Sequence, residues 1–172
     1  MPDLYGTLAG ANAYHLEHGN AAWTGTDEAK TAALVRASAY VDSLGRQQML
    51  PPGVWRTLWP GTKTGGRAQA LDWPRTDASD YEGNAIGPAE IPIEVVHATY
   101  EAALRELTAP GSLNPDYTPS ALVKREKAGP WEEEYFEPGA GANPNQPVIS
   151  IILDLLAPLL GARLLPPAIM VV

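Results

Sequence analysis

Proline and glycine punctuation decides what this chain can fold into. Between residues 45 and 92, breaks at Gly45, Pro51-Pro52, Pro60-Gly61, Gly65-Gly66, Trp73-Pro74 and Pro88 leave no room for a regular element of ten residues. A second broken stretch runs from 110 to 147. The 16 glycines and 17 prolines make up roughly a fifth of the chain, against ~12% in an average protein. Helices of useful length are thereby confined to the stretches before, between and after these breaks. Residues 8–18 read as a short helix stopped by Gly19-Asn20. Thr26 or Asp27 caps a strong helix to about Leu44, with Leu34, Ala37, Val41 and Leu44 at helical spacing, Ala33 and Tyr40 beside them, and Gly45 as the stop. A third helix starts near Ile91-Pro92 and continues to Leu107, its expected buried face being Ile93, Val96, Tyr100, Ala103, Leu104 and Leu107. Packing it on residues 27–44 would form the core, because helices of this length need tertiary burial.

The expected fold class is therefore mainly α, in one domain: a small helical bundle with a long irregular loop, a β-hairpin arm and an extended C-terminal tail. The helical core spans about 8–109, with a short helical turn around Gly66–Leu71 inside the loop. Residues 121–127 and 131–136 flank Ala128-Gly129-Pro130 and read as a hairpin arm within 120–137, or a pair of extended arms. There Lys124, Arg125 and Lys127 can face Glu132, Glu133 and Glu134. Residues 138–147 form a linker, and 148–172 a C-terminal helix followed by an apolar tail. Hydrophobic residues at 45% exclude wholesale disorder. The start, MPDLYGTLAG, lacks the parts of a signal peptide. The apolar run near 148–160, broken by Asp154 and Pro158, is too short to span a bilayer. With no cysteine there is no disulfide or thiolate site, and a soluble protein of a reducing compartment is expected.

Charge is uneven. The net value is −8, yet residues 45–75 hold Arg46, Arg56, Lys63, Arg67 and Arg75 against Asp72 alone, a local +4 beside −12 elsewhere. An acidic body repels a DNA backbone, while one basic segment can meet a phosphate or an acidic partner, the flank of an identical subunit included. Within that segment GGRAQALDWPRT, residues 65–76, is dense in docking groups: the guanidinium forks of Arg67 and Arg75, the indole of Trp73, and Pro74, which holds Trp73 extended. Trp55, Trp59 and Trp73 alternate with Arg56, Lys63, Arg67 and Arg75, the interleaving seen in single-strand binders. The overall acidity argues instead for tryptophans plugging an apolar contact and arginines pairing with carboxylates.

Catalytic patterns are lacking. His15 and His18 sit three apart around Glu17, a spacing that can hold a metal, but His97 lies in another helix and packing roles are expected. Glu132, Glu133 and Glu134 read as a solvated acidic arm. No catalytic triad spacing, nucleophile elbow or P-loop is present, so neither an enzyme nor a cofactor is expected.

Five pieces in order, AYHLEHGNAAW (13–23), ALVRASAYVDS (33–43), GTKTGGRAQALDWPRT (61–76), AIGPAEIPIEVVHATYEAAL (85–104) and VKREKAGPWEEEY (123–135), carry a resemblance. Over about residues 10–160 the layout resembles tailed-bacteriophage proteins described as DnaT-like single-stranded-DNA-binding proteins, and is similar to head–tail connector (adaptor) subunits. Of the two, the acidic body favours the connector. That resemblance implies a structural virion subunit in the neck at the portal vertex, assembled from the host cytoplasm. Its partners would be copies of itself in a dodecameric ring, the portal protein, and a tail-side neck, tail-terminator or tail-tube protein. Genomic DNA would pass through the channel without sequence-specific binding, and no membrane is involved. The expected interface residues are Arg67, Trp73, Pro74 and Arg75 in the loop, Lys124, Arg125, Lys127, Trp131 and Tyr135 in the arm, and Leu164, Leu165, Ile169 and Met170 in the tail. The alternative is a phage single-stranded-DNA-binding replication accessory protein.

Overall fold

A computed structural model describes residues 3–49, 54–115, 125–128, 131–134 and 149–161. Four α-helices carry it: α1 (Leu8–Glu17), α2 (Asp27–Leu44), α3 (Ile93–Thr108) and α4 (Ser150–Leu156). The expected mainly helical class is what is observed, and the helix ends have local causes. Thr7 Oγ1 accepts from Gly10 N at 3.0 Å to start α1, and Gly19 leaves it at φ +65°. Thr26 Oγ1 caps α2 through Ala29 N, with Asp27 and Glu28 at the positive end of its dipole. Pro92 stands at the N-cap of α3, one step before the helix proper.

The core lies where α3 packs on α2 along one side and α4 along the other, with α1 against α2 and α3. From α2 it takes Leu34, Ala37 and Val41, as the periodicity requires. On α3 the expected face holds at Tyr100 and Ala103, with Val96, Leu104 and Leu107 packed against the core, but it is corrected at Ile93, which is 57% exposed, and it is wider than expected, with Val95, Ala98, Thr99 and Ala102 also buried. A helix held between two neighbours buries more than one face, and alanines let both approach closely. Its buried sector even includes two carboxylates. Glu106 accepts from Arg36 Nε of α2 at 2.6 Å and from Gly111 N at 2.9 Å, and Glu101 from Tyr14 Oη and Arg105. Such pairing is what makes a buried carboxylate tolerable.

The helix expected after 148 is α4, a core member: it buries Ile152 and Leu156, with Leu159 just after it; each such side chain contributes about 1.5–3 kcal/mol. Gly161 N then donates to Leu58 O at 2.8 Å, fastening the end of this segment to the central loop. Among the described residues no helix is long and apolar enough to cross a membrane.

The described residues between 46 and 90 hold more regular structure than their punctuation implies. They contain a hairpin, β1 (Arg46–Met49) with β2 (Val54–Thr57), paired Arg46↔Thr57 to Met49↔Val54. Two-residue strand pairs follow: β3 (Thr62–Lys63) with β4 (Arg75–Thr76), and β5 (Ala78–Ser79) with β6 (Ala85–Ile86). The expected helical turn is a 3-10 turn at Gly66–Ala68. Gly61, at φ +63°, is required at its position: a Cβ there would stand 2.2 Å from the Thr76 carbonyl oxygen. Of the expected arm at 120–137, the described residues form an antiparallel strand pair, β7 (Arg125–Ala128) with β8 (Trp131–Glu134). Its register sets Arg125 against Glu134 and Lys127 against Glu132, but also Glu126 against Glu133.

Candidate nucleic-acid interface

The arginine and tryptophan of the central loop turn inward. Arg75, only 4% exposed, uses its fork on three backbone carbonyls: Nε donates to Pro60 O (2.6 Å), Nη2 to Gly61 O (2.7 Å) and Nη1 to Asp72 O (3.1 Å). Burial pulls its pKa below the ordinary arginine value, with Asp72 opposing. Trp73 is 2% exposed and meets Trp59 edge-on at 6.0 Å between ring centroids, its peptide bond to the half-buried Pro74 being cis. The Trp59 indole in turn covers Gly45, where a Cβ would collide with it. Neither indole is available for stacking a base or docking on another chain.

A buried polar network ties this loop to the N-terminal segment and to α2. Tyr5 Oη donates a short hydrogen bond to Asp42 Oδ1 and accepts from Trp73 N at 3.0 Å; Asp42 Oδ2 accepts from Asp72 N at 3.0 Å. Burial pushes the Tyr5 hydroxyl far up, with Asp42 adding to it. Burial likewise raises Asp42 to about 6, against the lowering pull of the Tyr5 hydrogen bond. The raised folded value means that the folded state takes up a proton which the unfolded chain still refuses. Asp42 therefore adds stability as pH falls from above about 6 toward the ordinary carboxylate range. His15, whose pKa burial lowers, acts in the opposite sense, costing stability below the ordinary histidine range. Carboxyl carbon NMR should show Asp42 titrating near 6. Urea unfolding of Asp42→Asn should then lose more stability on acidification from neutral pH than the parent does. A midpoint at the ordinary aspartate value would refute this account.

What stays outside is basic. Asp72 Oδ1 takes Lys63 Nζ at 3.0 Å, and Arg46 Nε lies 3.8 Å from Oδ2, so two cations converge on one buried carboxylate while their side chains remain 27% and 52% exposed. Lys63 Nζ also donates to Gln69 O, closing the turn that presents an exposed Arg67 to solvent. Arg56 lies on β2, directly across from Gln47. Of the other expected docking residues, Arg125, Lys127 and Trp131 fall on β7 and β8, and Lys124, Tyr135, Leu164, Leu165, Ile169 and Met170 lie outside the described residues.

The three histidines gather around one tyrosine. His15, His18 and His97 all set their rings against Tyr14, at 5.3, 4.0 and 4.8 Å between centroids. His15 Nδ1 faces Asn20 Nδ2, and His18 Nδ1 lies 2.8 Å from the Tyr14 carbonyl oxygen. Among the described residues no group of three His, Asp or Glu side chains could hold a metal ion. Burial, with Glu101 adding to it, pushes the Tyr14 hydroxyl up to about 12. Beside this cluster, at the junction of α1 and α2, lies a cleft of about 490 Å³, lined by Asn12, His15, Leu16, Asn20, Trp23 and Lys30. The sequence reading did not find it, because its lining comes from two helices and the turn between them.

A family model described as "Putative DnaT-like ssDNA binding protein" matches residues 2–168. The chain belongs to that family. No curated protein and no solved structure matches it. The match corrects the expectation of a head–tail connector subunit in a virion neck: the description covering nearly the whole chain concerns single-stranded DNA, and nothing in it speaks of a portal or a virion. That expectation weighed net charge over the whole chain, whereas phosphates respond to the cations within a Debye length of them.

Proposed function

We propose that this member of the DnaT-like family binds single-stranded DNA along the basic surface around β1, β2 and the 3-10 turn. The observation that carries the reading is the family match over residues 2–168. The local geometry supports it: Arg46 and Lys63 share a single carboxylate, leaving an excess of positive charge beside the exposed Arg67. Arg46, Arg56, Lys63 and Arg67 hold phosphates. The acidic remainder of the chain keeps the grip local and leaves binding strongly dependent on salt.

Anisotropy of a labelled oligothymidylate, titrated at about 50 and 200 mM salt, tests this. The double variant Arg46→Ala, Arg67→Ala should weaken binding about tenfold at the lower salt. It should also flatten the slope of log affinity against log salt by about 1.4, since each lost phosphate contact on a single strand removes about 0.7. Parental affinity and slope in the double variant would overturn the phosphate assignment. Absence of binding by the parent protein would overturn the function.

A further inference from the structure

The cleft between α1 and α2 has the composition of a small-molecule site, and its volume of about 490 Å³ lies in the range such sites occupy. Leu16 on its rim is 82% exposed, the largest exposure of any large apolar side chain among the described residues. Lys30 stands 5.5 Å from the centre of the Trp23 ring and donates to Asn12 Oδ1 at 3.2 Å. Among the described residues no carboxylate lies within ion-pair distance of its ammonium, although Asp27 and Glu28 precede it on the same helix.

The two asparagines are used in complementary ways. Asn12 Oδ1 accepts from Trp23 Nε1 at 2.8 Å as well as from Lys30, which leaves the Asn12 amide N–H groups to donate. Asn20 spends an N–H on His15 Nδ1 at 3.0 Å, leaving its carbonyl oxygen to accept. An apolar rim, one cation with no ion pair among the described residues, and an amide donor beside an amide acceptor together complement a flat, polar-edged anion. Bases of single strands are recognised by such groups, through their faces and hydrogen-bonding edges.

We propose that this cleft holds one nucleotide unit, its base against Leu16 with its edge on Asn12 and Asn20, and its phosphate at Lys30. As a subsite for the strand it rests on the single-stranded-DNA reading above; as a nucleotide site it does not. It is also separate from the basic surface, since Lys30 lies in the first turn of α2 and Arg46 follows its far end, Leu44 being roughly 21 Å from Lys30 along the helix axis.

The test follows the Trp23 indole and the Asn12 and Asn20 side-chain amides by NMR in the full-length 15N-labelled protein, titrated with oligothymidylate and separately with thymidine 5′-monophosphate. Leu16→Ser, at a solvent-exposed position, and Lys30→Gln are compared with the parent. The expected result is movement of these signals with both probes, and about a tenfold loss of oligonucleotide affinity in each variant. If the oligonucleotide binds through Arg46 and Arg67 while the cleft signals stay still and both variants bind normally, the cleft assignment is overturned and the strand-binding reading stands. If only the mononucleotide binds, shifting the cleft signals in the parent and not in the variants, the nucleotide site stands and the strand reading falls. If neither probe moves them, the proposal is overturned.

Discussion

Trp73→Ala is expected to lower the free energy of unfolding by about 3–5 kcal/mol, the range for removing a large aromatic from a packed interior. The side chain is 2% exposed, meets Trp59 edge-on, and sits where the central loop closes onto the helices. Alanine would leave a cavity that the surrounding helices can only partly fill. Against the ~5–15 kcal/mol stability of a typical domain, that is a loss large enough to depopulate the folded state at elevated temperature. Urea unfolding measures it. Trp73→Phe, which keeps a ring in the site, should retain more of the stability and bind oligothymidylate as the parent does. A folded Trp73→Phe variant that has lost DNA binding would return this residue to the interface. A cost below about 1 kcal/mol for the alanine variant would remove it from the core.

Arg75→Met should cost about 3 kcal/mol, because it strips the donors from Pro60 O, Gly61 O and Asp72 O at once, and a buried acceptor left unpaired costs about 1–3 kcal/mol. Arg75→Lys should rescue little of this. A single ammonium lacks the planar fork that reaches carbonyls on either side of the β3–β4 pair. Hydrogen exchange gives an independent readout, since the Thr64 N–H that donates to Pro74 O belongs to the same closure and should exchange faster in both variants. A lysine variant within 0.5 kcal/mol of the parent would show that charge, and not the fork, is what the loop needs.

Both expectations depend on a feature that local patterns do not report. Arg67, Trp73 and Arg75 look alike in sequence, as docking groups in a loop, yet only Arg67 is presented outward. Trp73 and Arg75 are drawn inside because residues elsewhere in the chain, Tyr5, Trp59 and Pro60, supply their partners. The hairpin formed by β1 and β2 was hidden for a related reason: proline and glycine forbid helix, but whether short segments then pair depends on what lies beside them. The widened face of α3 shows the same limit. A single-stripe pattern assumes one neighbour, and α3 has two, α2 and α4, so its buried sector reaches Glu101 and Glu106, which Tyr14, Arg105 and Arg36 pair. The candidate cleft was equally out of reach, although Trp23 and Lys30 are seven residues apart, because a cavity is a property of packing.

The order of residues alone determined where helices start and stop. Thr7, Thr26, Gly19 and Gly45 act on their own backbone within one turn, and the 3.6-residue period of Leu34, Ala37 and Val41 needs only one apolar surface to face. Tertiary structure decided which polar groups are spent in the interior and which remain for a ligand. Arg75 and Asp42 became internal fasteners, while Arg46, Arg67 and Lys30 stayed within reach of solvent. A charged side chain takes its role from the groups that desolvate and pair it, and here those groups come from distant parts of the chain.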